Sequence, residues 1–461
     1  MNSTQFSTLK LDPALIENLV TLGYKEMTAI QAQSLPLIVE GRDVVAQAKT
    51  GSGKTAAFGL GLLNNLKVKR FRVQALVLCP TRELADQVAK EIRDLARAIH
   101  NIKVLTLCGG APIGPQIGSL EHGAHIIVGT PGRIVDHLNK NRLNLEELNT
   151  LVLDEADRML EMGFQPSLDL IFSLCPKQKQ TLLFSATFPE QILPVTKQIM
   201  NDPVTVKVTT THDDSVIQQH FYEIKDNNQR LKAVIRLLLN HNPESAAIFC
   251  NTKIETSDVA NNLKMQGFSA QALHGDLEQR DRDLTLIKFA NKSISVLVAT
   301  DVAARGLDID NMDLVINYHI SHDPEVHIHR IGRTGRAGSK GVACTIVLDR
   351  EAHKIRKLEE ILDQKITIED FPKAKVQDNI VNKPKMVTLQ IDGGKKQKIR
   401  PGDILGALTG ENGIKGSQVG KINLLHNRSF VAVSREVVND ALVKLSTGKL
   451  KGKTFKARRI S

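Results

Sequence analysis

Tryptophan is absent from the 461 residues, tyrosine occurs three times, and aromatic residues together make up 4 %. That poverty argues against recognition through broad aromatic platforms. Cysteine is scarce too: Cys79, Cys108, Cys175, Cys250 and Cys344 are odd in number, widely spaced and form no C-x-x-C pair. A disulfide framework and a zinc site are disfavoured, and a reducing compartment is favoured. Most of these thiols sit in apolar stretches such as Leu76–Cys79, where burial is the expected state. No apolar run approaches the length of a membrane span, and Met-Asn-Ser-Thr-Gln at the start carries no basic segment followed by an apolar one. A cytoplasmic protein without membrane contact is expected.

What is plentiful is positive charge, and it is unevenly placed. Lys plus Arg number 61 against 50 acids, a formal net charge of +11. From Val381 to Ser461 there are 17 basic residues against 5 acidic ones. The rest of the chain is therefore close to neutral, and the positive field belongs to the last fifth. Its expected partner is a polyanion: nucleic acid first, an acidic membrane surface second.

A first helix is predicted from Asp12 as N-cap and Pro13 at the first helical position, with Leu15, Ile16, Leu19 and Val20 as apolar positions and Gly23 as the stop. Short apolar runs then alternate with amphipathic stretches: Asp43–Ala46, Ala75–Cys79, Val104–Leu107, His125–Val128, Thr150–Leu153 and Thr181–Phe184. Runs with no wet face predict a parallel sheet covered by helices on both sides. There is also an internal repeat. Leu76–Thr81 resembles Ala247–Thr252, and Ile126–Thr130 resembles Val296–Thr300, at nearly equal separations. Two copies of one α/β domain are expected, with a joint near Val206–Ser215 and a second, linker-like joint near Phe371–Lys385.

Ala48-Lys49-Thr50-Gly51-Ser52-Gly53-Lys54-Thr55 follows an apolar run and opens a helical pattern. Glycines let such a loop turn its N–H groups toward phosphate oxygens, and the helix start adds its positive end. Lys54 is placed to reach the β/γ-phosphates and Thr55 to ligate Mg²⁺. Asp154-Glu155 follows Leu151-Val152-Leu153. A carboxylate at a strand end can hold Mg²⁺ (Asp154), and a second can orient or deprotonate the attacking water (Glu155). Together these segments predict a nucleoside triphosphatase that uses Mg²⁺.

Asp154-Glu155-Ala156-Asp157 spells the tetrapeptide of the DEAD-box RNA helicases, and other segments resemble that family's motifs in order. Gly23-Tyr24 through Thr28-Ala29-Ile30-Gln31 is similar to its adenine-reading motif, with Phe6 upstream. Pro80-Thr81-Arg82-Glu83-Leu84, Gly109-Gly110 and Thr130-Pro131-Gly132-Arg133 resemble the motifs that hold the RNA backbone. Ser185-Ala186-Thr187 resembles the coupling element. His274-Gly275-Asp276, Ala299-Thr300-Asp301, Arg305-Gly306-Leu307-Asp308 and His329-Arg330-Ile331-Gly332-Arg333-Thr334-Gly335-Arg336 resemble the second-domain motifs. The resemblance spans about residues 1–350 and implies two RecA-like parallel-sheet domains, 1–207 and 215–368, with a linker at 369–385. It implies an ATP site of Phe6, Gln31, Ala48, Lys49, Thr50, Gly51, Ser52, Gly53, Lys54, Thr55, Gly306 and Asp308. Catalysis falls to Lys54, Asp154, Glu155, Arg333 and Arg336, the two arginines acting as fingers. Coupling falls to Asp157, Ser185, Thr187 and His329. RNA contacts, mostly to phosphate and sugar, fall to Pro80, Thr81, Arg82, Gly110, Thr130, Arg133, Gly275 and Thr300. The chain departs from the family pattern at Met27, His319 and His327, and no role is assigned to those three.

The last segment reads as strand Val387–Ile391, helix Pro401–Leu408, hairpin Val419–Leu425 and Phe430–Ser434, helix Glu436–Leu445 and strand Thr454–Ile460. That order is the ferredoxin-like arrangement of RNA-recognition modules, expected over 386–461. Lys395, Lys396, Lys398, Arg400, Lys451 and Lys453 are its expected RNA contacts. Phe430 and Phe455 are the only aromatics beyond Phe371, so charge, backbone groups and RNA shape are expected to outweigh stacking. Ile391–Gly410 resembles the C-terminal domain of the DbpA subfamily. That resemblance implies a hairpin of 23S rRNA as target, a large-subunit precursor as partner, a role in assembly of the 50S subunit, and no obligate protein partner. Two other readings stand beside an RNA-stimulated ATPase: a non-catalytic RNA clamp and a translocating DNA helicase. Gln31 and the Asp-Glu-Ala-Asp segment argue against the last.

Overall fold

The computed structural model describes residues 4–48, 51–185, 187, 192–208, 217–304, 312–335, 341–372 and 381–460. They fall into two compact units, one carrying the first seven strands and the other the remaining eleven. The first unit, lobe one, contains β1 (Val44–Gln47), β2 (Ala75–Leu78), β3 (Val104–Leu107), β4 (Ile126–Gly129), β5 (Thr150–Asp154), β6 (Gln180–Ser185) and β7 (Val204–Lys207). They form one sheet in the order β3-β4-β2-β5-β6-β1-β7, with every pairing parallel. Alternate residues of β2 serve opposite faces. Val77 packs with the helices Pro13–Thr21, Ala29–Val39, Lys54–Asn64 and Arg82–Leu95, while Leu76 and Leu78 join the core on the other side. Two-sided burial is why these runs lack polar alternation.

The first helix begins as its sequence predicts: Asp12 accepts from the Ala14 N–H at 2.8 Å, and Pro13 is the first residue. Leu15 and Leu19 are buried, but Val20 lies on the solvent side of the apolar stripe. The joint expected near Val206–Ser215 starts inside the sheet, because Val206 and Lys207 pair with Ala46 and Gln47.

In the second unit, lobe two contains β8 (Ile217–Ile224), β9 (Ala246–Cys250), β10 (Ala270–Leu273), β11 (Val296–Thr300), β12 (Leu314–Asn317), β13 (Gly341–Leu348) and β14 (Ile368–Glu369). Their order, β10-β11-β9-β12-β13-β8-β14, repeats that of lobe one strand for strand. The repeat seen in sequence is thereby located: β9 stands where β2 stands, and β11 where β4 stands. The expected linker differs at its start, and its residues 373–380 lie outside the described residues. Glu369 is in β14, Phe371 stacks on Tyr222 at 4.9 Å, and Arg236 donates to the Pro372 carbonyl at 2.7 Å.

The C-terminal module contains β15 (Met386–Ile391), β16 (Val419–Leu424), β17 (Ser429–Ser434) and β18 (Ala457–Arg459), antiparallel in the order β16-β17-β15-β18. Helices Pro401–Thr409 and Val438–Thr447 cover one face, against Val387, Leu389, Ile391, Val431 and Val433. The β-α-β-β-α-β order is the ferredoxin-like one. The second helix starts two residues later than its sequence pattern, after a short turn at Arg435–Val437.

Candidate nucleotide and RNA sites

All strands of lobe one run the same way, so their C-terminal ends share one edge, where open α/β sheets place ligands. The sheet order divides that edge. The glycine loop, the Asp154-Glu155 pair and Ser185 follow the adjacent strands β1, β5 and β6. Pro80–Arg82, Gly109-Gly110 and Thr130–Arg133 follow β2, β3 and β4.

On the first half, Gly51 and Gly53 have φ of 80° and 90°, a region closed to most side chains. A Cβ at Gly53 would also meet Gln31 Nε2 at 2.5 Å. Gln31 is buried and ties the loop down: it donates to the Gly53 carbonyl at 3.0 Å and accepts from the Thr28 N–H at 2.9 Å. Thr28 donates to the Ser52 carbonyl at 2.8 Å. Thr28 was not singled out from sequence, although Thr-x-x-Gln is a legible capping box. Phe6 is buried against Tyr24, ring centroids 6.1 Å apart, as part of the core. Lys54, 7 % exposed, donates to the Ala48 carbonyl at 2.8 Å, and the Ala48 N–H donates to the Ser185 carbonyl at 3.1 Å. Thr55 opens the helix beside Lys54. Lys49, Thr50, Gly306, Asp308 and Arg336 lie outside the described residues.

Asp154 and Glu155 are 3 % and 7 % exposed, and each has a buried carboxylate oxygen without a hydrogen-bond partner. Ser52 Oγ in the glycine loop is likewise buried and unpartnered. Burial pushes the Asp154 carboxyl up to about 7; the Lys54 charge opposes that rise and the Glu155 charge adds to it. Glu155 stands in the left-handed region at φ 53°, a costly conformation for a non-glycine residue, at the start of helix Ala156–Glu161. Unsatisfied hard oxygens at a strand end, facing a lysine-bearing loop, fit a divalent cation held jointly with phosphate. Asp157 is paired instead: its Oδ2 accepts from Thr187 N–H at 3.0 Å and Thr187 Oγ1 at 2.7 Å, and its own N–H donates to Ser185 Oγ at 3.4 Å. Burial alone would raise its pKa, but these donors and the Arg158 charge hold it below the usual value. The network physically joins the acid pair to the segment after β6.

On the other half of the edge, Thr81 caps helix Arg82–Leu95 by accepting from Leu84 N–H at 3.3 Å, with Pro80 buried before it. Arg82 lies 3.7 Å from Asp86. Gly110 has φ 73°, and the Gly109 N–H donates to Thr130 Oγ1 at 3.4 Å. Arg133 donates twice to the Ala111 carbonyl, at 3.2 Å each. Lobe two repeats the pattern at the ends of β9, β10 and β11. Thr252 caps helix Lys253–Met265 as Thr81 caps its own, Gly275 follows β10, and Thr300 ends β11.

Helix Pro324–Ile331 carries His329, half-buried, and Arg333 follows it at 7 % exposure. The residue missed from sequence here is Arg330. It grips Asp301 with two bonds of 2.6 and 2.7 Å, donates to the His319 carbonyl at 2.8 Å and lies over the Phe249 ring. The departures from the family pattern are packing residues. His327 stacks on Phe221, and burial, with the Arg330 charge, lowers its pKa to about 3. His319 meets Glu255 at 2.7 Å, and Met27 is in the core.

In the module, Lys395, Lys396, Lys398 and Arg400 are exposed on a loop whose backbone bonds the hairpin: Lys395 and Lys396 N–H donate to Leu425 and His426 carbonyls at 2.9 and 2.8 Å. Gly394 permits this approach, since a Cβ there would meet the Leu425 carbonyl at 2.3 Å. Lys451 lies 3.7 Å from Asp403, and Lys453 is exposed. Phe430 alternates away from the helix-covered core with Gln390 as its partner, yet is 3 % exposed. Its ring is therefore a poor stacking platform. Among the described residues no helix is long and apolar enough to cross a membrane.

Comparison with known proteins agrees with this geometry. Residues 28–195 match the DEAD/DEAH box helicase family, 229–338 the helicase conserved C-terminal domain, and 388–459 the DbpA RNA binding domain. The chain is 51 % identical over 457 residues to the ATP-dependent RNA helicase DbpA of Escherichia coli K12, covering 99 % of each. It is 44 % identical over 364 residues to the DEAD-box ATP-dependent RNA helicase CshA of Geobacillus kaustophilus, covering 79 % of this chain and 78 % of that one. Among solved structures, S. cerevisiae Dbp5 bound to RNA and ADP BeF3 superposes with a TM-score of 0.73 at 30 % identity, over 80 % of this chain and 96 % of the other. The fold, the strand-end motifs and the near-complete identity span together place the chain in the DbpA subfamily of DEAD-box ATP-dependent RNA helicases.

Proposed function

We propose that this helicase is directed by its C-terminal module to a hairpin of 23S rRNA and acts on a large-subunit precursor during 50S assembly. The match to the DbpA RNA binding domain and the 17 basic against 5 acidic residues after Val381 support this reading. The RecA-like lobes are assigned 1–207 and 215–368, and the module 386–461. Phosphate and sugar contacts by Pro80, Thr81, Arg82, Gly110, Thr130, Arg133, Gly275 and Thr300 carry no sequence information. Selection then falls to the module, through Lys395, Lys396, Lys398, Arg400, Lys451 and Lys453.

For ATP, the observation that carries the assignment is the pair of buried, unpartnered carboxylate oxygens of Asp154 and Glu155 beside the loop of Lys54. Asp154 and Thr55 would hold Mg²⁺, which would neutralise phosphate charge when bound. Lys54 leaves the Ala48 carbonyl for the β/γ-phosphates. Glu155 orients the attacking water and takes its proton. Gln31 keeps a second amide N–H and a second carbonyl lone pair for the adenine edge, Phe6 borders the base, and Asp308 meets the ribose. Arg333 and Arg336 stabilise the transferred phosphoryl group. Asp157, Ser185, Thr187 and His329 relay the nucleotide state to the RNA-binding segments.

The test compares the full chain with a chain ending after Asp378. The full chain is expected to hydrolyse ATP faster with large-subunit rRNA than with random RNA of equal length. The shortened chain is expected to bind ATP and lose that preference. Equal stimulation of the full chain by both RNAs would refute targeting by the module.

A further inference from the structure

Six consecutive residues of lobe one, Lys67-Val68-Lys69-Arg70-Phe71-Arg72, hold four cations, one aromatic and no acid. They form the loop before β2. The strands of lobe one are parallel, so the loops before β2, β4 and β5 share the sheet edge opposite the glycine loop and the RNA motifs. Two buried polar side chains hold this loop. Gln74, 2 % exposed, accepts from the Lys67 N–H at 2.9 Å and donates to the Lys67 and Arg70 carbonyls at 3.0 and 2.8 Å. His125, buried before β4, accepts at Nδ1 from the Lys103 N–H at 3.0 Å and donates from Nε2 to the Val68 carbonyl at 2.9 Å. The Arg70 N–H closes a turn on the Lys67 carbonyl at 2.9 Å. The backbone is tied inward, while Lys67, Lys69, Arg70 and Arg72 are all exposed.

Phe71 stands among these cations at 44 % exposure, its ring centroid 4.5 Å from that of His125. The imidazole that anchors the loop therefore also supports the ring, and part of the ring faces solvent. Beside it opens a cavity of about 320 Å³, which Arg72, Leu120, Arg142 and Leu143 line with Phe71. Acids are present as well: Glu146 and Glu147 line the same cavity. Glu147 lies 3.9 Å from Arg70 and 3.8 Å from Arg72, beyond hydrogen-bond reach, and all three side chains are largely exposed. Ion pairs of that kind hold an arginine weakly. Four like charges within six residues repel one another, and a loop fixed by buried partners cannot spread to relieve them. A polyanion laid along the loop removes that repulsion, and a flat apolar ring between two arginines offers it a stacking partner.

We infer that this loop is a second RNA-contact surface of lobe one, its four cations meeting the phosphodiester backbone and Phe71 stacking on a base. RNA is the polyanion that a helicase of this family already meets, and the ring gives a base a place that an acidic protein surface does not require. None of these residues belongs to the contacts proposed above, and the loop lies at the opposite end of the strands from Thr81, Gly110 and Thr130. The inference is therefore independent of the role proposed for the C-terminal module. Phosphate contacts and stacking on one ring both tolerate any sequence. The surface thus adds grip on RNA that extends past the motif-bearing edge, without choosing its sequence.

The test uses the full-length chain with Lys67→Gln, Lys69→Gln, Arg70→Gln and Arg72→Gln combined, and a second chain with Phe71→Leu alone. A control chain carries Lys10→Gln, Lys25→Gln, Lys90→Gln and Lys177→Gln, which are exposed elsewhere on lobe one. Equilibrium binding of a long single-stranded RNA of mixed sequence is measured over a range of KCl concentrations. The charge variant is expected to bind at least about tenfold more weakly at about 0.1 M salt, with a log–log salt slope shallower by about two to three. Phe71→Leu is expected to bind about fivefold more weakly with the slope unchanged, since stacking releases no counterions. Circular dichroism and the melting temperature check folding, and Lys67→Gln with Lys69→Gln replaces the fourfold variant if it melts early. Unchanged RNA affinity and slope in the charge variant, or an equal loss in the control, overturns the inference. Poly-glutamate and vesicles of anionic phospholipid are measured beside the RNA. Weaker binding of either by the charge variant, with RNA binding intact, would overturn the inference in favour of an acidic protein or a membrane surface.

Discussion

Lobes one and two share a strand order, yet the ends of their corresponding strands carry different chemistry. In lobe one, β1 runs into a glycine loop, and Lys54 begins the next helix with its ammonium on a loop carbonyl. In lobe two, β8 runs into a short turn, and Arg230 begins the corresponding helix. Arg230 is 1 % exposed and fully engaged. It donates to the carbonyls of Tyr318 and Ile346 at 2.5 and 2.9 Å, to Glu351 at 2.8 Å and to Asn227 at 3.0 Å. The place where lobe one holds the lysine proposed to meet phosphate is occupied in lobe two by a cation already satisfied by protein. The acid pair after β5 has an equally satisfied counterpart: after β12, His319 pairs with Glu255 and lends its carbonyl to Arg330. On the proposed function, one scaffold serves as nucleotide site or structural half according to whether its strand-end acids keep unpartnered oxygens or are paired.

The comparison can be broken at its strongest point first. Glu155→Gln keeps shape and removes the proposed base, so RNA-stimulated hydrolysis is expected to fall about 10²–10⁴-fold with ATP binding retained. Turnover within tenfold of wild type, or full function of the variant in cells, would favour the non-catalytic clamp. In lobe two, Arg230→Ala leaves Glu351 with Lys354 and the Leu348 N–H as partners but strips the carbonyls of Tyr318 and Ile346 of their buried donor, and a loss of about 3–5 kcal/mol is expected in chemical denaturation. A loss under about 1 kcal/mol would show that the plug is not structural.

Asp154 gives a pH test. Its folded pKa, about 7, lies above the ordinary carboxyl value near 3.8, so the folded chain binds the extra proton. This group therefore lowers stability as pH rises from about 4 to about 7, and its full cost is present above that window. Without nucleotide, Asp154→Asn is expected to raise the melting temperature at pH 8 and to leave it unchanged near pH 4. The smallest effect concerns the matched caps. Thr81→Ala and Thr252→Ala are each expected to lose about 1 kcal/mol of stability. Unequal losses would show that the two strand ends are not equivalent.

Much of this was legible from sequence because parallel, doubly covered strands leave unbroken apolar runs, and the Thr81 and Thr252 caps recur at matched spacing. The glycine loop was legible because only glycine tolerates the φ of Gly51 and Gly53. Long-range partners were not. Nothing local to Arg330 says that it grips Asp301, or that Gln31 spends its amide on Thr28 and Gly53. The scarcity of aromatics already argues against stacking, but the burial of Phe430 on the sheet face away from the helices was not legible locally. The linker reads as free chain because the strand it adds at Ile368–Glu369 is two residues long, too short for any alternation to register.

The central claim is that one nucleotide site exists per chain and that its phosphate grip is built on the strand ends of lobe one. Titration calorimetry with a non-hydrolysable ATP analogue and Mg²⁺ tests it directly. The account expects one site in wild type, none measurable in Lys54→Ala, and one in Arg230→Lys. Two sites in wild type, or undiminished binding in Lys54→Ala, would contradict it.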